Sequence, residues 1–292
     1  MTHATQAAGL LERVGPDVVA ARQAVLDHGD PGAIHALRQS LRRARALLRL
    51  MQRESPSPAL ADLRSLAKAA ADAVAPVRNW DVLVADTLPA AHRDGLDVAI
   101  VDCLTVAARE RRAVALALAQ TALRSQRLRR LPAALRDIAV PVPVPAHDEV
   151  LAAALLPRLH RRLLCRGRGF RHLDARGRHQ LRLAGKALTD VAGLLHPPHG
   201  LRRRALRLTN RLTAAIGNDR DCDTALALAA VIGDPFVTRA LAIAIAQGAD
   251  RRERSMRQQW RALCKAPAPR PRARPRKPKK KAAGLAAALS AV

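Results

Sequence analysis

His35, Arg38, Arg42, Arg45 and Arg49 follow one another at intervals of three or four residues, the spacing that puts side chains on one face of an α-helix. Ile34, Leu37, Leu41, Ala44, Leu48 and Met51 repeat at the same interval beside them. The segment therefore predicts an amphipathic helix whose polar face is almost wholly cationic, with only Arg43 pointing elsewhere. Like charges three or four residues apart oppose an isolated helix, so such a row must be offset by packing or by a polyanion laid along it. Arginine offers forked donors to phosphate oxygens, where lysine acts more as a point charge. The chemistry these residues suit is anion binding, and His35 could add a donor once protonated beside a polyanion. The plainer alternatives are a solvated face for the arginines and a helix-packing role for the histidine, bonded to a nearby carbonyl or carboxylate.

The pattern H-x-x-R-x-x-x-[RK] at His35, Arg38 and Arg42 recurs at His179, Arg182 and Lys186, an offset of 144 residues. A second pattern, R-[DN]-x-D, stands at Arg78, Asn79 and Asp81 and again at Arg220, Asp221 and Asp223, an offset of 142. Two unrelated patterns at nearly one offset indicate a duplicated unit. Further arginines fall into basic stripes: Arg161 and Arg162 within RLHRRLLCRGR, Arg204, Arg207 and Arg211 at i, i+3 and i+7, and Arg127 with Arg124 and Arg129. For each of these a solvated face is an equal alternative. Asp81, Asp221 and Asp223 could serve a metal or a general base, but neither half gathers further acids around them. They are expected to hold the arginine rows extended through salt bridges, with Arg78 and Arg220 likewise structural. LAGKALT at 183–189 fails as a phosphate loop, because Gln180 stands where the first glycine should be and no strand precedes it.

The elements that must position these residues are helical. Of 292 residues, 49% are hydrophobic and only 1% aromatic, with no Tyr, and Ala and Leu dominate over runs of Val or Ile. The fold class expected is all-α, as two pseudo-symmetric four-helix bundles with a disordered basic C-terminal tail. Breakers are expected at GPD 15–17, HGDPG 28–32, SPSP 55–58, LPAAHRDG 88–95, AVPVPVPAHD 139–148, HPPHG 196–200 and GDP 233–235. The Pro-Val alternation cannot serve a strand ladder and reads as the linker, dividing a first bundle (1–140) from a second (147–265) and a tail (266–292). Lys and Arg number 51 against 24 acids, a net charge of +27. Nine of those positive charges follow position 264 with no acid among them, so residues 1–264 keep +18. An acidic partner is implied: nucleic acid, anionic membrane or a phosphate polymer. The four cysteines match no metal spacing and are expected to be buried thiols in a reducing cytosol. Neither a signal peptide nor a membrane span is expected.

With these motifs in order, the chain resembles the CHAD family, the conserved-histidine α-helical domain. HALRQSLRRAR (His35 to Arg45) fits the family's H-x-x-R-x-x-x-R-R-x-R, and RNWDV (Arg78 to Val82) its R-D-x-D-V with Asn79 for Asp. LRSQR (Leu123 to Arg127) is similar to its L-x-S-x-R. His179, Leu181, Arg182 and Lys186 fit the second-repeat element, which departs at Ala187 and Thr189. GNDRDCD (Gly217 to Asp223) resembles the closing G-x-x-N-D-x-D with Arg220 for Asn. The resemblance implies two helical bundles whose basic faces meet in a central groove that binds inorganic polyphosphate, in proteins associated with polyphosphate granules in the cytoplasm. It carries Arg38, Arg42, Arg45 and Arg49 over as phosphate contacts from the first bundle, answered by Arg182 and Lys186, with His35 and His179 as donors. No E-x-E-x-K motif of the triphosphatase domain found in some relatives is present, so no catalysis, metal or cofactor is expected. Few aromatics leave little for bases to stack upon. The competing reading is a nucleoid-type protein that grips DNA or RNA backbone, with the tail contributing.

Overall fold

The computed structural model describes residues 3–138, 148–195 and 203–268, and all regular structure among them is helical. The expected linker at 139–147, the HPPHG turn at 196–200 and the tail beyond 268 lie outside the described residues. The first half runs α1 (His3–Asp27), α2 (Pro31–Glu54), α3 (Pro58–Ala73), α4 (Ala75–Val82), α5 (Leu88–Arg93), α6 (Val98–Arg124), α7 (Gln126–Arg129) and α8 (Leu131–Ile138). A π-helical turn, Leu83–Thr87, joins α4 to α5. The second half comprises α9 (Asp148–Arg166), α10 (Ala175–Leu194), α11 (Arg203–Ile232), α12 (Pro235–Gln247) and α13 (Ala249–Cys264), with a 3₁₀ turn at Phe170–His172.

Several breakers act through capping. Asp30 accepts from the Ala33 amide at 2.8 Å with Pro31 at the first helical position, and Asp234 accepts from the Phe236 amide at 2.9 Å with Pro235 at the start of α12. Both satisfy amide donors that a helix start leaves free. Two expected breaks do not occur where the sequence placed them. GPD at 15–17 lies inside α1, continuous through Pro16. Pro16 and Glu12 are both exposed, so the carbonyl that loses its amide partner faces water and the usual proline penalty is softened. LPAAHRDG is mostly the short helix α5. Its Pro89 occupies the first turn, where no amide is needed, and the chain breaks only at Asp94 and Gly95, the latter at φ +100°.

The apolar stripe read for α2 is its buried face: Ile34, Leu37, Leu41, Ala44 and Leu48 are fully buried and Met51 nearly so. α1 packs on α2, α2 on α3, and α3 and α4 on α6, while α9 packs on α10, α10 on α11 and α11 on α13. α6 also closes the end of α1: Gln120 donates to the Val25 carbonyl at 3.0 Å and Arg124 to that of Leu26 at 3.2 Å. These are carbonyls that a helix C-terminus leaves without partners.

Two hydrophobic clusters form the interior, and each draws on both halves. The larger joins α1, α2, α3 and α8 to α9, α10, the first part of α11 and α13. The smaller packs Trp80, Leu83, Leu88 and Leu104 against Ala225, Ala229, Val237 and Leu241. α2 therefore lies on α10, and α4 with the π turn lies on α11. The expectation of four buried thiols is corrected: Cys222 alone is buried, and Cys103, Cys165 and Cys264 are exposed on helix surfaces. No described helix is long and apolar enough to cross a membrane.

Candidate functional site

The packing of α2 on α10 brings their basic faces together. Burial and then the neighbouring cations Arg78, Arg42, Lys186 and Arg38 hold the His35 imidazole below its usual pKa. For Arg38 the cause is burial, then Arg78, Arg42 and Arg182. For Arg182 it is burial, then Arg220 and Arg42, opposed by Asp221, and for Lys186 burial, then Arg42 and Arg182, opposed by Asp190. In each case most of the surrounding charge is positive, and at least one of the cations comes from the opposite half: Lys186 for His35, Arg182 for Arg38, and Arg42 for both Arg182 and Lys186. The result is a cationic groove whose members disfavour one another's charge.

His179 accepts at Nδ1 from Arg220, 2.7 Å away. Its pKa is lowered by burial and then by Arg220 and Arg182, so the neutral ring accepts at Nδ1 and keeps its proton on Nε2, the one nitrogen left to donate. Gly217, which opens the GNDRDCD motif, is the floor on which Arg182 rests. A Cβ there would come within 3.2 Å of Arg182 Nε, and that nitrogen is buried without a hydrogen-bond partner. Beside it, Arg176, Arg178, His179, Arg182, Arg220 and the carboxylates Asp219 and Asp223 line a cleft of about 290 Å³. Gly185, the glycine of the rejected phosphate loop, is where α10 meets the side chains of Thr213 and Thr209 on α11.

An acid that the sequence reading passed over stands at the centre. Asp190, 7% exposed, takes Arg42 in a bidentate pair, Nε at 2.7 Å and Nη2 at 3.0 Å. It lies four residues beyond Lys186 on α10 and eight beyond Arg182, so its place on the basic stripe was legible from spacing. Asp190 performs the arginine-holding role expected of Asp81, Asp221 and Asp223. Asp81 instead pairs with Arg112 Nε at 2.5 Å, and Arg112 reaches on to the Gly29 carbonyl at 2.8 Å. That is a brace between α4, α6 and the α1–α2 turn, away from the arginine row. Asp221 sits among Arg182, Arg78, Arg220 and Asp86, its carboxyl pushed up chiefly by burial. Among the described residues no group of three or more His, Cys, Asp or Glu is placed to hold a metal.

The remaining candidates divide. Arg49 has its charge disfavoured by desolvation, then by Arg45, Arg64 and Arg162, so these four from α2, α3 and α9 form a second basic cluster along α2. Arg64 carried no signal on the α2 stripe and was missed. Arg78 and Arg220, read as structural, stand within the first cluster. Arg127 donates to the Ser65 hydroxyl at 2.9 Å on the outer side of α3. Arg161, Arg204, Arg207 and Arg211 are exposed and have no hydrogen bond or ion pair among the described residues; nothing draws them into the groove.

Comparison with known proteins places this geometry. The profile of the CHAD domain matches residues 11–230. The crystal structure of the CHAD domain from the plant Ricinus communis superposes with a TM-score of 0.76 at 24% identity, covering 92% of this chain and 94% of that one. PptA from Streptomyces chartreusis superposes at 0.65 and 21% identity, over 89% of this chain and 99% of that one. At such identities the likeness is one of fold, and among curated proteins none matches the sequence. By the family profile and the helical architecture together, the chain belongs to the CHAD domain family, whose members are associated with binding of inorganic polyphosphate.

Proposed function

We propose that this chain binds inorganic polyphosphate along the groove between α2 and α10, as a non-catalytic cytoplasmic protein associated with polyphosphate granules. The first bundle (1–140) supplies one wall and the second (147–265) the other. The observation that carries the reading is the packing of α2 on α10, pinned by the Arg42–Asp190 pair, which brings His35 and Arg38 near Lys186 and Arg182; beyond the effect of burial, Arg182 repels the charge of Arg38 and Lys186 that of His35. A chain of phosphates laid between them relieves that repulsion at every step. Packed helix axes lie roughly 8–10 Å apart, so the cleft between their polar flanks suits one thin chain. A duplex, whose major groove alone is about 12 Å wide, does not enter it. The test is a competition titration on the chain ending at residue 264: labelled long-chain polyphosphate is displaced by duplex DNA, single-stranded RNA or short phosphates across a salt series. Strong preference for long polyphosphate is expected. Equal competition by DNA would overturn the groove assignment in favour of a backbone-binding nucleoid protein.

The histidines give the binding a pH dependence of defined sign. In the free protein burial and cationic neighbours hold both imidazoles neutral below their usual value. A bound polyanion favours the imidazolium, so binding takes up protons. Affinity is expected to rise as pH falls from about 7 toward 5, around the ordinary imidazole value of about 6.5, and to level off once the free protein is itself protonated. Replacing His35 and His179 by Gln should flatten that slope; an unchanged slope would remove the histidines from the site.

A further inference from the structure

The 3₁₀ turn and α13 enclose a second cleft, of about 280 Å³, outside the α2–α10 groove. The chain has four aromatic residues, and two of them meet here. Phe170 and Trp260 stack with ring centroids 5.6 Å apart and planes 14° from parallel. The arrangement is built into the backbone: a Cβ on Gly167 would run into the Trp260 ring, and Gly169 starts the turn at φ +65°. Around the rings stand Arg171, His172, Arg257 and Arg261. Glu253 holds Arg257 at 2.7 Å, and it is shared with Arg178 at 2.8 Å. Arg171, His172 and Arg261 are exposed, and their side chains have no hydrogen bond or ion pair among the described residues.

We propose that this cleft is a second anion site, one that takes a free nucleoside polyphosphate, with the base against the partly exposed Trp260, which the core residue Phe170 backs from inside, and the phosphates on Arg171 and Arg261. Aromatic faces and uncommitted arginines together are what a nucleotide requires, and stacking serves any base. The α2–α10 groove offers no such face, since Trp80 is buried in the smaller core. A volume just below the range of small-molecule sites, roughly 300–1,000 Å³, admits one base and excludes a run of them, which favours a mononucleotide over a strand. Arg178 is the partition: it lies 6.0 Å from the Phe170 centroid on one side and lines the His179–Arg182 cleft on the other. The inference does not depend on what the groove binds.

The chain has two tryptophans, so a Trp80→Phe variant leaves Trp260 as the only one to report. ATP, tripolyphosphate, adenosine and a single-stranded oligonucleotide are titrated against it, by fluorescence and by calorimetry. ATP is expected to quench Trp260 and to bind at least about fivefold tighter than tripolyphosphate, the low end of what one stacked base contributes. Trp260→Leu and the exposed Arg261→Ala should each abolish that advantage while long-chain polyphosphate binding stays unchanged. Equal affinity for ATP and tripolyphosphate, no quenching, or an advantage that survives both substitutions would overturn the proposal. Tighter binding of the oligonucleotide than of ATP would overturn it as well. Should Trp260→Leu fail to fold, Arg261→Ala carries the test.

Discussion

Combining Arg38→Ala with Arg182→Ala is expected to lower polyphosphate affinity at least tenfold and to reduce its salt dependence, with helicity retained. Each guanidinium has its charge disfavoured first by burial and then by cations that include one on the other helix, Arg182 of α10 for Arg38 and Arg42 of α2 for Arg182. A charge-assisted hydrogen bond to phosphate is worth about 1.5–3 kcal/mol, and tenfold in affinity is about 1.4 kcal/mol. The estimate thus allows for heavy screening at the groove mouth. Arg42 is the poorer choice for this experiment, because Asp190 already occupies its forked donors. Arg38 also donates to the Ala71 carbonyl at 3.2 Å, a bond of about 1 kcal/mol, and loss of the cation repulsion offsets part of it. Titrating long-chain polyphosphate at several salt concentrations, on chains with and without residues 265–292, measures both quantities. Wild-type affinity in the shortened double variant would show that the groove is not the receptor.

Asp190→Asn should move affinity and stability in opposite directions. The substitution removes the one carboxylate that pairs with the α2 arginine row among the described residues and frees Arg42, so the groove gains net positive charge and a fork of donors. A few-fold tighter grip on polyphosphate is expected. Breaking a buried ion pair by removing one partner costs about 3–5 kcal/mol. The Arg42 side chain is 38% exposed, which screens the pair, and Asn keeps one acceptor, so a loss of about 1–3 kcal/mol is the better expectation. Thermal denaturation and titration of the same preparation decide it. If affinity falls together with stability, Asp190 aims Arg42 at the ligand instead of restraining it.

Much of this was legible in the sequence where one period governed a whole element. The α2 stripe is the clearest case: the same three-and-four spacing named both its buried residues and its cations, because a helix fixes both faces at once. Motif recurrence at nearly constant offset pointed to a duplicated unit, whereas the meeting of α2 with α10 was an implication of the family resemblance. What spacing within one helix cannot give is a contact between helices. Asp81 sits in a motif with Arg78, yet its partner is Arg112 on α6, 31 residues away, and Asp190 meets Arg42 across 148 residues. Arg64 joins the second cluster only because α3 lies beside α2. Arg204, Arg207 and Arg211 show the converse: a well-formed basic stripe on α11 whose position in the fold leaves it exposed. The π turn after α4 had no signal at all, since its extra residue per turn carries no characteristic composition.

The sharing of both hydrophobic clusters between the halves has a consequence for how occupancy of the groove can be read. α2 and α10 cannot separate without opening a core to which every major helix contributes. A ligand that bridges them is therefore linked to global unfolding, and its stabilisation follows RT ln(1 + [L]/Kd), about 2.7 kcal/mol at a hundredfold excess over Kd. The melting temperature of the whole chain becomes a meter for the groove. A ligand that bridges neither cluster leaves that meter still.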